Sequence, residues 1–238
     1  MVGYTHASSV IAVVNRSEVE LATVTCALVP LNTSALPNRP AVVHTALGHS
    51  LNATWRDAEA LEALRRAVAL DARHLPAQSG LREVLMRQGK LADARVAWQK
   101  ALEADPPEHD AWYGYAELCL YLGEEAEYRR ARRALLDKFG KQTSPQLGER
   151  TGRACLLLAA PQAELRRAVA LADRAVAVVD RSTFHPMHAA FQFVKGLADY
   201  REGRFDRAIG VMRGDASRVL GPAPRLVLAM SLHRGGRA

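Results

Sequence analysis

One amphipathic phrase occurs twice in this chain, and the distance between its copies restricts the fold more than any other feature. WRDAEALEALRRAVALDA begins at Trp55 and GKLADARVAWQKALEADP at Gly89, an offset of 34 residues. Self-similarity at such a period marks a stack of like supersecondary units. With 41–74 taken as one unit, positions 7, 8, 11, 20, 24 and 27 hold Leu47, Gly48, Leu51, Ala60, Leu64 and Ala67. In 75–108 the same positions hold Leu81, Arg82, Leu85, Ala94, Trp98 and Ala101, with Gly89 at the turn and Pro106 at position 32. This spacing puts them on the facing sides of two helices, where small residues let the backbones approach and larger apolar ones fill the seam. Trp98 is therefore expected in the core.

The pattern continues over 109–143 with Trp112, Ala116, Cys119 and Gly123, but Tyr128 and Leu135 stand where alanines are expected. Residues 144–188 read as a divergent pair, with Pro161 at a helix start where its missing N–H costs little. A cleaner unit, 189–221, carries Gly196, Gly203, Phe205 and Ala208, and a half unit over 222–238 carries Leu228, Ala229, Leu232 and Gly236. Residues 1–40, with Pro30, Pro37 and Pro40, fit no helical period. They are expected to form a poorly ordered non-repeat leader, with a short strand-like or helical piece around 17–29.

These residues, in this phase, resemble the tetratricopeptide repeat, a 34-residue helix-turn-helix unit, over roughly 41–238. The resemblance implies an all-α fold, a right-handed α-solenoid of stacked antiparallel helix pairs whose first helices line a concave face. The phrasing of 109–238 is also similar to the repeat arrays that follow the catalytic domain of large bacterial serine/threonine kinases. The chain holds no GxGxxG or HRD loop, and Asp137-Lys138-Phe139-Gly140 is not a DFG motif. The resemblance implies a partner-binding groove lined from positions 2, 5, 6, 9, 12 and 13. The groove residues are then His49 and Asn52; Glu83, Met86 and Arg87; Tyr113, Glu117 and Tyr121; and Phe193, Tyr200 and Arg201. Aromatic and arginine side chains dominate interface energetics, so a protein or peptide partner is expected. The Lys/Asn clamp that chaperone-binding members use at positions 5 and 9 is replaced by Thr45 and His49, Ser79 and Glu83, and Tyr113 and Glu117. A chaperone C-terminus is therefore not the expected ligand.

Other chemistries find little support. The longest apolar runs, such as ACLLLAAP at 154–161, fall far short of the roughly 20 residues a membrane helix needs, and the N-terminus is a poor signal peptide. The expectation is a cytoplasmic protein with no membrane partner. Cys26, Cys119 and Cys155 form no CxxC pair, which argues against a disulfide framework or zinc site. His185 and His188 have no acidic residue beside them and His44 lies on a helix, so no metal and no cofactor are expected. No GxSxG, P-loop or HExxH motif occurs, and carboxylates such as Glu124 and Glu125 read as solvated surface, so no catalytic residue is assigned.

Charge is uneven: residues 1–120 hold 11 Lys and Arg against 13 Asp and Glu, and 121–238 hold 21 against 12. The run Arg129–Arg133 has Glu124, Glu125, Glu127 and Asp137 at helical pairing distance and reads as a solvated helix face rather than a phosphate-binding strip. Residues 225–234 are apolar nearly all round and should be covered by a partner, a second copy through self-association, or a downstream segment. The reading is a non-enzymatic interaction scaffold. The alternatives are a regulatory C-terminal fragment of a repeat-containing bacterial kinase and a nucleic-acid-associated helical repeat protein.

Overall fold

Among the described residues five helices end on the same backbone motif. The N–H at position 16 of the unit closes onto the carbonyl at position 11: Arg56 to Leu51 (3.0 Å), Lys90 to Leu85 (2.9 Å), Glu124 to Cys119 (2.8 Å), Arg204 to Asp199 (2.8 Å) and Arg237 to Leu232 (2.9 Å). This closure needs a left-handed residue at position 15, the usual role of glycine at a helix C-terminus. Gly89, Gly123, Gly203 and Gly236 supply it with φ of 70°, 76°, 77° and 69°, while Trp55 supplies it at 62°.

The computed structural model describes residues 40–177 and 186–237. The expected leader 1–40 therefore lies outside the described residues except for Pro40, as do Cys26 and His185. The elements are α1 (Pro40–Ala53), α2 (Asp57–Leu70), α3 (Leu75–Arg87), α4 (Leu91–Leu102), α5 (His109–Trp112), α6 (Tyr115–Tyr121), α7 (Glu125–Phe139), α8 (Pro145–Cys155), α9 (Gln162–Ala177), α10 (His188–Arg201), α11 (Phe205–Arg213) and α12 (Ala223–Arg234). A 3₁₀ turn, Asp215–Arg218, precedes α12, and no strand occurs among the described residues.

Consecutive helices pack as pairs, α1 on α2, α3 on α4, α6 on α7, α8 on α9 and α10 on α11, and first helices also touch across units, as α1 on α3 and α8 on α10. One apolar core runs from Leu51 to Val227. Ala60, Ala67 and Ala94 are fully buried at the seam positions, and Trp98 is 4 % exposed. Tyr128 and Leu135 fill the seam although they are large. The Tyr128 hydroxyl donates to the Ala154 carbonyl (3.0 Å) and accepts from the Leu158 N–H (3.3 Å), which ties α7 to the end of α8. Leu47, expected in the seam, is instead exposed.

The third unit departs from a continuous first helix. Between α5 and α6 the chain breaks at Tyr113 and Gly114, the latter at φ 93°. The Trp98 indole N–H donates to the Ala111 carbonyl (2.6 Å), the acceptor that an unbroken helix would give to Tyr115. A Cβ on residue 114 would stand 2.9 Å from the ring carbon Cη2 of Trp98. A large ring at position 24 thus displaces the helix it packs against, and only glycine fits both the space and the conformation.

Candidate interaction surface

The junction of the first two units is polar and closely bonded. Asn52 is buried; its Nδ2 donates to Glu83 Oε1 (3.0 Å) and its side-chain oxygen accepts from Arg87. Arg87 also donates Nε to Asp57 Oδ2 (3.1 Å), forms an ion pair with that carboxylate, and lies 4.8 Å from the centre of the Trp55 ring. His49 is exposed, its imidazole seated over Gly80 of the next unit. Met86 is 44 % exposed. The sequence-predicted residues here are brought together, but Asn52 acts as an internal strut between units.

A second cluster joins α5, α6 and α8. Tyr113, 41 % exposed, lies beneath Arg150 and Arg153, whose guanidinium carbons are 4.6 and 5.8 Å from its ring centre. Arg153 donates to the Tyr113 hydroxyl (3.2 Å) and pairs with buried Glu149 (2.7 Å) and with Glu117 (3.7 Å). Burial pushes the Glu117 carboxyl above the ordinary carboxylate range, and its Oε2 is buried without a partner. Buried His109 sits against Phe139 and contacts Thr151 (3.0 Å); burial, reinforced by Arg150, lowers its pKa and favours the neutral ring. Tyr121 is 78 % exposed at the end of α6. Arg150 and Arg153 belong to this surface although sequence phase did not select them. Their unit is divergent, and the only signal was a pair of arginines at i and i+3 in the GERTGRA segment.

The fifth unit is different. Phe193 is in the core, because α10 buries Phe191, Phe193, Val194 and Leu197 together. It is not placed on a ligand-facing surface. Tyr200 is half-buried beside Phe205, and Arg201 donates Nε to the Leu156 carbonyl (2.6 Å) and a second N–H to Leu157, closing the end of α8.

The basic run is also less free than a solvated face. Arg129 pairs with Glu125 (2.6 Å), Arg130 pairs with Glu127, and Arg132 is buried against Glu164 of α9 (2.6 Å). Cys119 and Cys155 are buried thiols; burial pushes Cys119 up to about 11 and raises Cys155 as well. Among the described residues no group of His, Cys, Asp and Glu is arranged to hold a metal, and no helix is long and apolar enough to cross a membrane.

A tetratricopeptide repeat family model matches residues 83–138 and 153–217, together just over half of the chain. No curated protein matches by sequence. Among solved structures, a tetratricopeptide repeat protein from Parabacteroides merdae ATCC 43184 is 15 % identical with a TM-score of 0.57, over 83 % of this chain and 74 % of that one. The Cut9–Hcn1 hetero-tetramer of the APC/C is 17 % identical with a TM-score of 0.54, over 87 % of this chain and 39 % of that one. YrrB, a repeat protein with an unusual peptide-binding site, is 14 % identical with a TM-score of 0.54, over 86 % and 97 %. At such identities structural likeness speaks for the fold, and function has to be argued from the site. The family-model match, with five repeated turn closures and one continuous helical core, places the chain in the tetratricopeptide repeat family, with an all-α helical-repeat fold.

Proposed function

We propose that this chain is a non-catalytic scaffold that binds a peptide or protein segment along the surface of its first helices. The observation that carries the reading is apolar exposure in register. Met86 (44 %), Tyr113 (41 %) and Tyr121 (78 %) stand at repeat positions 12, 5 and 13 on α3 and on the broken first helix of the next unit. Large exposed anchors on a rigid repeat wall suit an extended or helical segment with apolar side chains. In this reading His49, Glu83, Arg87 and Glu117 are assigned to the border of the strip and Tyr200 to its continuation, while Asn52, Phe193 and Arg201, buried or bonded between units, support it from within.

A displayed peptide library selected on the full chain tests the reading. Met86→Ala and Tyr121→Ala should each weaken the selected peptides by about 1 kcal/mol or more, roughly fivefold. Tyr113 is the poorer probe, since its removal also unseats two arginines. Unchanged affinity in both variants, with intact helicity, would move binding to another face. Self-association, if it occurs, should run through α12, where Leu226 is 58 % and Met230 39 % exposed. Leu226→Glu should then shift the sedimentation coefficient toward the monomer.

A further inference from the structure

Among the five described closures, the turn between α1 and α2 is the one whose left-handed residue is not glycine. Trp55 carries the left-handed φ of 62° that glycine carries at 89, 123, 203 and 236, and Arg56 N–H closes onto Leu51 (3.0 Å) as in the other turns. A bulky side chain in this conformation is strained, and strain of this kind persists where the site has a use for it. The core makes little use of this indole: Trp55 is 76 % exposed, against 4 % for Trp98 and 7 % for Trp112.

Its surroundings state a chemistry. The Arg87 guanidinium carbon lies 4.8 Å from the ring centre, with its Nε and Nη2 donors turned to Asp57 and Asn52. Glu83 accepts from Asn52 (3.0 Å) but forms no ion pair among the described residues, and the nearby Arg56 is paired with Glu59. Asp57 and Glu83 thus face one cation, Arg87, so the network joined through Asn52 retains a negative charge. An electron-rich ring joined through Arg87 and Asn52 to a carboxylate without an ion-pair partner among the described residues favours a cation over a neutral or acidic group.

We propose that Trp55 is a recognition residue for a lysine or arginine side chain of the bound segment, whose cation stacks on the indole and is balanced by Glu83, with Met86 taking an adjoining apolar side chain. This rests on the peptide-scaffold reading above. The strained tryptophan then has a role that the four glycines do not share.

The test uses the full chain and a positional-scanning library of synthetic octapeptides, with one position fixed as Arg, Lys, Gln, norleucine or Glu, read by fluorescence anisotropy. The wild type should bind Arg- and Lys-fixed pools at least tenfold tighter than Gln-fixed pools. Trp55→Gly should abolish that preference while melting no lower than the wild type, because it restores the residue used in the other turns. Trp55→Phe should keep part of the preference, and Glu83→Gln should reduce it severalfold. Equal binding of all pools, or a basic preference that survives in Trp55→Gly, would overturn the assignment. So would a large drop in melting temperature in that variant, which would make the ring structural. If Tyr121→Ala weakens every pool while Trp55→Gly changes none, the scaffold reading stands and this one fails; if no pool binds the wild type, both fail. A dimer that Trp55→Gly converts to monomer would assign the ring to a second copy of the chain and refute the basic-peptide role.

Discussion

Trp98→Ala removes more than a core side chain. The indole is 4 % exposed, lies 5.8 Å from the Tyr115 ring, carries the Arg82 guanidinium 4.5 Å above its centre, and holds the Ala111 carbonyl at 2.6 Å. Truncating a buried tryptophan costs about 3–5 kcal/mol, and a buried carbonyl left without its partner costs about 1–3 kcal/mol. The two overlap, since water entering the space would solvate the carbonyl and Arg82 together. A total near 4–6 kcal/mol is expected, against about 5–15 kcal/mol for a whole domain. Trp98→Phe keeps most of the packing and loses chiefly the hydrogen bond, for about 1–2 kcal/mol. Guanidinium denaturation followed by far-ultraviolet circular dichroism gives both numbers from midpoint and slope. A cost below about 2 kcal/mol for alanine, or a phenylalanine variant as unstable as the alanine one, would refute the argument that this ring organises the break between α5 and α6.

Arg82 is buried on that ring with no carboxylate paired to it among the described residues, and burial lowers its pKa to about 10. Its folded-state pKa is depressed, so the cost of holding the charge is fully present below about pH 10; Arg82→Met should be neutral or stabilising by about 1 kcal/mol at pH 7, measured by denaturant titration. For Glu117 the folded-state pKa is raised, so folding favours the protonated form and stability falls as pH rises from the ordinary carboxylate range through the raised value. Glu117→Gln should therefore gain on the wild type between pH 4 and pH 7 in melts across that range. Glu164→Ala leaves the Arg132 guanidinium buried without a carboxylate, against the Ala159 carbonyl (3.1 Å) and the Tyr128 ring (5.5 Å), a loss of about 3–5 kcal/mol by chemical denaturation, and Arg132→Met with Glu164→Leu should recover most of it.

The helix pairs were legible because their seams require small residues at fixed spacing, and Ala60, Ala67 and Ala94 meet that requirement without ambiguity. The break at Gly114 was not, because its cause is a ring 16 residues earlier that meets it only after folding. Tyr128 and Leu135 looked like departures, yet their bulk is taken up by the next unit and the tyrosine hydroxyl is satisfied there. The candidate surface was read from phase alone, which fixes which helix a residue lies on but not how far the side chain reaches; Phe193 turned inward and Asn52 became a strut for that reason. Trp55 was readable as the odd member of a glycine column at positions 55, 89, 123, 203 and 236. The value of that column depended on knowing that the turn needs a positive φ.

The arginine surplus of the second half has a further consequence in the way the repeats are fastened. Arg132 reaches the Ala159 carbonyl (3.1 Å), Arg167 that of Leu136 (2.6 Å), Arg174 that of Gly140 (2.7 Å) and Arg201 that of Leu156 (2.6 Å). Each donor reaches a carbonyl near the end of a helix in an adjoining unit; those of Gly140, Leu156 and Ala159 lie past the last helical residue, where the helix supplies no donor, and that of Leu136 accepts the arginine in addition to the Gly140 N–H (2.8 Å). These bonds exist only while two neighbouring units are both folded, so they add to the coupling between units rather than to either one alone. The third to fifth units should accordingly open together, with amide protons of α7, α8 and α10 exchanging at a common rate, instead of peeling from the end. Lysine has no planar fork with which to reach a carbonyl while keeping a second contact, so exchanging these arginines for lysine would preserve the charge and loosen the stack.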